Sequence, residues 1–350
     1  MYRIHPILHT PLKLLLLETF VICSCYALQG HLNQSDSIAS GILPLKNFGE
    51  LLVKTYGYER QLDVFKLEDG SRVYVVDKVL LPPQNSSLEN IKIMRLAKVK
   101  NGVSSYVALD LPQQLTEKSI DTSQWKLNRM THQIYGYHYM MIEALFLSDL
   151  IEFSDKCKAN ILSIGLGGGT VNGFLHDLFP HMNITVVEIS QEMVKMARKW
   201  FGLVENNYQR VVVADGVKFI AEAATEGALY DAVLLDACSS EQMEGIVCPL
   251  DTFLNGSVLR DIVALLPKQG LLIVNAHAER MEIDKAYAFL INKFKDFFEY
   301  CDRLHNSILT ENNVIYCSQQ TPARKNPIDI PQLFRRLLAK NISRWRKIVP

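Results

Sequence analysis

A chain of 350 residues, 48% of them hydrophobic, can bury a full core and has room for one large domain beside a smaller one. Lysine plus arginine equals aspartate plus glutamate at 37 each, so the formal net charge is zero. That balance excludes binding to nucleic acid or to an anionic membrane by global charge and leaves selectivity to local clusters.

In chain order, Arg3 and Lys13 precede Leu14–Leu17, an apolar run continues from Thr19, and Cys25-Tyr-Ala27 has cleavage-like spacing, so residues 1–27 read as a signal peptide. Glu18 interrupts the run, which is shorter than the ~18–20 residues of a membrane span, and no transmembrane segment is expected. The implied location is the secretory pathway, with the cytoplasm as the alternative. Sequons at Asn33, Asn85, Asn183, Asn255 and Asn341 suit a glycoprotein. Without the leader five cysteines remain, Cys157, Cys238, Cys248, Cys301 and Cys317, with no metal-binding spacing. One or two disulfides suit an oxidising compartment, yet Cys301 and Cys317 lie in apolar runs where buried free thiols are expected.

Residues 40–125 carry strand character at Leu51–Val53, Arg72–Val76, Ile91–Met94 and Tyr106–Leu109, with turn residues between them, which predicts a small antiparallel β domain. A polar linker near Gln113–Gln124 leads to a helix over Tyr137–Leu150. Residues 130–320 then alternate apolar runs at Ile161–Ile164, Ile184–Val187, Val211–Val213, Ala232–Leu235 and Leu271–Val274 with amphipathic segments. Helices are expected at about 170–179, 190–200, 216–224, 251–266 and 282–296, so the fold class is α/β with a parallel, Rossmann-like sheet. Phe298–Leu304 and Val314–Cys317 suit a hairpin that gives the sheet an antiparallel edge. Residues 326–350 read as a basic amphipathic tail.

Ligands of such a sheet sit outside the carboxyl ends of its strands. Gly165, Gly167, Gly168 and Gly169 make the first strand-end turn, where a missing Cβ allows close backbone approach. Glu188, followed by Ile189, closes the second strand at the spacing of a ribose-binding carboxylate. Asp215 and Gly216 follow the third strand, where Asp215 suits either an adenine amine or a helix cap. Asp236 follows the fourth and is the catalytic candidate, with Asp231 as a cap. Between Gly165 and Asn172 there is no lysine or arginine to meet a phosphate. Three strand-end carboxylates repel polyphosphates but suit a sulfonium and an amine, which points to S-adenosylmethionine or its decarboxylated form.

Gly165-Leu-Gly-Gly-Gly169, Val187-Glu-Ile189, Ala214-Asp-Gly216 and Asp236, ahead of Cys248-Pro249 and the Phe253–Leu266 helix, resemble the spermidine-synthase-like class I methyltransferases. Within that family the likeness runs to the C-terminal half of methyltransferase-like protein 13, over residues 130–318. The resemblance implies a seven-stranded sheet, S-adenosylmethionine at its carboxyl edge, Glu188 on the ribose and Asp215 near adenine. Spermidine synthases carry an aspartate in the glycine loop where this chain has only glycine, a second aspartate where Ser239 stands, and a Tyr-Gln pair where His138-Tyr139 stands. The expected activity is methyl transfer to a small-molecule amine or a protein lysine, with Tyr137, His138 and Tyr139 lining the acceptor pocket. Alternatives are aminopropyl transfer from decarboxylated S-adenosylmethionine and a degenerate cofactor-fold binding protein. A homodimer is an open expectation.

Overall fold

Local chemistry places the first elements. The computed structural model describes residues 41–80, 91–100, 102–128, 137–239, 245–279, 281–304 and 312–322; the expected leader, the basic tail and the sequons at Asn33, Asn85 and Asn341 lie outside these. The strand expected at Leu51–Val53 is instead part of helix α1 (Leu45–Tyr56), which buries Phe48 and Leu52, one turn apart. Three consecutive apolar residues carry no period, so the sequence does not separate strand from helix there.

After α1 the chain makes an antiparallel meander of β1 (Glu59–Lys66), β2 (Arg72–Leu80), β3 (Lys92–Val99), β4 (Gly102–Leu109) and the short β5 (Leu127–Asn128). β1 is an edge strand with no fully buried position, which is why its sequence carries no strand signal. One face of the meander packs α1 through Val79, Ile93 and Leu109. Between β2 and β3 a buried ion pair forms across directly opposed residues: Arg95 donates to both Asp77 carboxylate oxygens at 2.8 and 3.0 Å and to the Thr122 carbonyl at 2.9 Å. A buried charge pair persists only when its polar atoms are satisfied in this way.

Helix α2 (Tyr137–Leu145) leads into alternating strands and helices: β6 (Asn160–Ile164), α3 (Thr170–Leu178), β7 (Asn183–Glu188), α4 (Gln191–Trp200), β8 (Gln209–Val213), α5 (Gly216–Thr225), β9 (Ala232–Leu235), β10 (Gly245–Cys248), α6 (Gly256–Ala264), β11 (Leu271–Glu279), α7 (Ile283–Lys295), β12 (Tyr300–Leu304) and β13 (Asn312–Ser318). The second sheet runs β12-β13-β11-β9-β6-β7-β8, with β6, β7, β8, β9 and β11 mutually parallel. β10 pairs with the outer end of β11 as an eighth strand.

The expected hairpin forms, but its antiparallel member is not at the edge. β13 runs antiparallel to both β11 and β12, so the edge strand β12 points the same way as the parallel set. Burial explains the order: Asn313 through Ser318 are buried, whereas in β12 only Cys301 is. The hairpin also sets Cys301 opposite Cys317, Cα–Cα 4.1 Å, where they form a disulfide, so the free thiols expected at these positions are corrected. Cys238 and Cys248 form another, and Cys157 is a buried free thiol.

The two sheets meet through α4, whose Met193 and Met196, with Phe201, pack on Val73, Val75, Ala97 and Val107 of the meander. Among the described residues no helix is long and apolar enough to cross a membrane.

Candidate active site

The carboxyl ends of the parallel strands open into one cavity of about 1230 Å³. Its first wall is the turn after β6. Gly165 has φ 97°, and a Cβ there would lie 2.3 Å from the Asp236 carbonyl oxygen, so only glycine lets the ends of β6 and β9 close on each other. The Asp236 N–H donates to the Ile164 carbonyl at 2.9 Å across that junction. Gly165 and Gly167 line the cavity. Gly168 and Gly169 stand behind it: the Gly168 N–H donates to Ser105 Oγ of β4 at 2.6 Å, and Gly169, φ 80°, precedes α3.

Glu188 ends β7 and is buried. Its two carboxylate oxygens accept the N–H groups of Leu166 and Ser190, both at 2.9 Å, tying the glycine loop to β7. Burial pushes its carboxyl above the usual range, and these backbone amides oppose the rise. Ile189 follows on the cavity wall, 71% exposed, offering an apolar surface. Asp215 lines the cavity and also caps α5, accepting the N–H of Val217 at 2.8 Å, so its capping role is realised. Gly216 has Ile164 and Phe253 where a Cβ would stand.

Asp236 sits at the end of β9. One carboxylate oxygen accepts from Asn275 Nδ2 at 2.8 Å, and the other accepts from the Tyr137 hydroxyl at 3.3 Å. Burial lifts its carboxyl to about 6, and the two donors hold it from rising further. The same burial and the neighbouring carboxylate push the Tyr137 hydroxyl well up. His138 stacks on Tyr137 with ring centroids 3.9 Å apart, and burial lowers its imidazole to about 4, so it is neutral at physiological pH. Tyr137 and His138 line the cavity.

Tyr139 does not line it, a correction to the expected trio. Two helix positions turn the side chain by about 200°, and its ring packs on the core cluster beneath the sheet.

Among the described residues no lysine or arginine lines the cavity, whereas Glu68, Asp69, Glu188, Asp215, Asp236 and Glu279 do. The sequence reading missed Asn275, Asn312, Ser105 and Glu68. Asn275 did carry a signal, as the polar residue inside the buried apolar run of β11. Ser105 and Glu68 carried none, because they reach the site from the other sheet.

A family model, the spermine/spermidine synthase domain, matches residues 140–322. The chain therefore belongs to the spermine/spermidine synthase domain family, on a class I methyltransferase fold. It is 29% identical over 216 residues to the human eEF1A lysine and N-terminal methyltransferase, a match covering 60% of this chain and 30% of that relative. It is 29% identical over 140 residues to the polyamine aminopropyltransferase of Vibrio vulnificus, covering 40% of this chain and 45% of that one. Among solved structures, human methyltransferase-like protein 13 in complex with SAH matches at TM-score 0.50 and 26% identity, covering 58% of this chain and 91% of that one. A probable spermidine synthase from Corynebacterium glutamicum shares the fold at TM-score 0.50 and 17% identity, over 79% of this chain and 86% of that one. The chain thus spans about 30% of the length of the eEF1A methyltransferases it matches.

Proposed function

We propose that this protein transfers the methyl group of S-adenosylmethionine to an amine, with a protein lysine as the acceptor. The observation that carries the reading is the cavity's charge: carboxylates at successive strand ends and, among the described residues, no cationic side chain to meet a phosphate. Such a wall favours a sulfonium and an approaching amine over polyphosphate ligands. The solved relative with bound SAH and the eEF1A lysine methyltransferase relatives support the same cofactor and acceptor class.

In this reading Glu188 accepts hydrogen bonds from the ribose hydroxyls with the lone pairs its two backbone amides leave. Ile189 and Asp215 border the adenine, and Gly165 and Gly167 let the backbone approach the ligand. S-adenosylmethionine supplies a methyl group on positively charged sulfur and departs as neutral S-adenosylhomocysteine. Asp236 holds the acceptor nitrogen in line and takes its proton, which the Tyr137 and Asn275 donors make room for by fixing the carboxylate. Neutral His138 and Tyr137 form the acceptor wall without repelling a cation.

Aminopropyl transfer is the second reading, favoured by the family model and by the Vibrio relative. Against it, the glycine loop offers no carboxylate for the amine of decarboxylated S-adenosylmethionine. Two disulfides favour an oxidising compartment and with it the leader expected at 1–27. Asn183 and Asn255, the sequons within the described residues, are both exposed, as glycosylation requires. The two sheets support a division into a small β domain and a cofactor domain.

The test incubates the purified chain with methyl-labelled S-adenosylmethionine and lysine-bearing proteins, eEF1A among them, in parallel with labelled decarboxylated cofactor and putrescine. Label on protein, lost in Asp236→Asn, is the expected result. Label only on the diamine would replace methyl transfer by aminopropyl transfer, and no binding by calorimetry of either S-adenosylhomocysteine or 5′-methylthioadenosine, the thioether products of the two transfers, would overturn both.

A further inference from the structure

Asn275 is an amide in a run of β11 that otherwise buries only hydrocarbon. Its β11 neighbours Leu271, Leu272, Ile273, Val274 and Ala276 are fully buried, and Asn275 itself is 1% exposed. A buried amide is costly unless its donors and acceptor are all met. Here they are: Nδ2 donates to an Asp236 carboxylate oxygen at 2.8 Å and lies 3.5 Å from Cys238 Sγ, while Oδ1 accepts from Asn312 Nδ2 at 3.0 Å. Turning the amide over would set its oxygen against the carboxylate and its NH2 against the NH2 of Asn312. Only one orientation satisfies both neighbours.

Asn312 comes from β13, where it stands opposite His277 of β11. Asn275 and His277 share a face of β11, being two residues apart. The antiparallel strand inserted between β11 and β12 is therefore what brings the second amide within reach.

We infer that Asn275, oriented by Asn312, is a positioning residue that aims the Asp236 carboxylate into the cavity and supplies the hydrogen bond its charged form needs. This rests on Asp236 being the proton acceptor of the proposed transfer. The other groups around Asp236 do not serve in its place. Tyr137 of α2 donates at the longer distance of 3.3 Å, its hydroxyl kept protonated by burial and the neighbouring carboxylate. His138 of α2 is neutral, Tyr106 of β4 stands behind it in edge contact, and Cys238 is held in a disulfide. Among the described residues the remaining titratable groups on the cavity wall are Glu68, Asp69, Glu188, Asp215, His277 and Glu279. Asn275 is the nearer donor, at 2.8 Å against 3.3 Å.

The experiment titrates the full chain labelled with carboxyl-13C aspartate by NMR, with the Asp236 signal assigned by its loss in Asp236→Asn. The wild-type midpoint is expected at about 6. Asn275→Leu, which keeps volume and removes the donor, is expected to raise it by about one pH unit or more. Asn312→Ala, at a half-buried position less critical to folding, is expected to raise it by a smaller amount. The acid limb of methyl transfer should move with the midpoint in both variants. A midpoint that stays within about 0.3 pH units of wild type in folded Asn275→Leu, or in Asn312→Ala should the first not fold, overturns the inference. A shifted midpoint in a chain that transfers no methyl group leaves the positioning standing and removes the proposed function instead.

Discussion

Glu188 and Asp236 are both carboxylates at strand ends, yet their partners differ in kind. Glu188 is held by backbone amides and so belongs to the framework of the glycine loop, whereas Asp236 is held by the side chains of Tyr137 and Asn275. Replacing Asp236 by Asn should cut transfer by about 10²–10⁴-fold, the usual share of a general base, while S-adenosylhomocysteine affinity by calorimetry changes little. Because burial raises this carboxyl to about 6, it is protonated below that pH and ionised above it. Transfer should therefore climb between pH 5 and 7 with a midpoint near 6 in the rate profile, and a limb near 4 would remove Asp236 as the base. Glu188→Ala takes away the proposed ribose acceptor and leaves two buried amides unpaired, so S-adenosylhomocysteine affinity should fall by about 10²-fold. The strand-end carboxylates were legible because a residue just past an apolar run faces the crevice whatever the rest of the chain does. Tyr139 was not, since only the packed orientation of α2 decides which of three adjacent side chains meets the cavity.

At the scale of elements, two local geometries hold the site. Gly165 needs both its positive φ and its missing Cβ, whereas Gly227, φ 72°, has open space within 4 Å of where a Cβ would stand. Gly165→Ala should thus abolish measurable S-adenosylhomocysteine binding and lower the melting temperature. Gly227→Ala should cost only about 1–2 kcal/mol of left-handed strain in a thermal melt and leave binding unchanged. The β12–β13 hairpin is closed by Cys301–Cys317 across a separation of 16 residues. Loop entropy of that length is worth about 3 kcal/mol, so the double Cys→Ala variant should melt about 5–10 °C lower by calorimetry. Neither cysteine pairing nor the interior place of β13 was visible in the chain, because apolar cysteines read alike whether paired or free until strand register puts them face to face.

Across the whole molecule, the meander is a structural part of the site. Ser105 of β4 receives the Gly168 N–H, and Glu68 of the β1–β2 turn accepts the N–H of Gln191 at the start of α4. Asp63 of β1 accepts from Lys199 and from Trp200 Nε1 at the other end of that helix. The two disulfides extend the prediction to the compartment. Among Cys157, Cys238, Cys248, Cys301 and Cys317, chain recovered from a secretory host, denatured without reductant and treated with a thiol reagent should carry label on Cys157 only, by mass spectrometry. Label on Cys238, Cys248, Cys301 or Cys317 would count against an oxidising compartment.

Residue spacing by itself determined the α/β class, the crevice at the strand ends and the carboxylates Glu188, Asp215 and Asp236 within it, because each depends on periods and turns a few residues long. Only the tertiary structure decided what sets the chemistry of Asp236. Its donors come from α2 and β11, with Asn312 of β13 behind them, 37 to 99 residues apart in the chain. Their meeting depends on strand register and helix docking, and the burial that lifts the carboxyl exists only once those elements have closed around it.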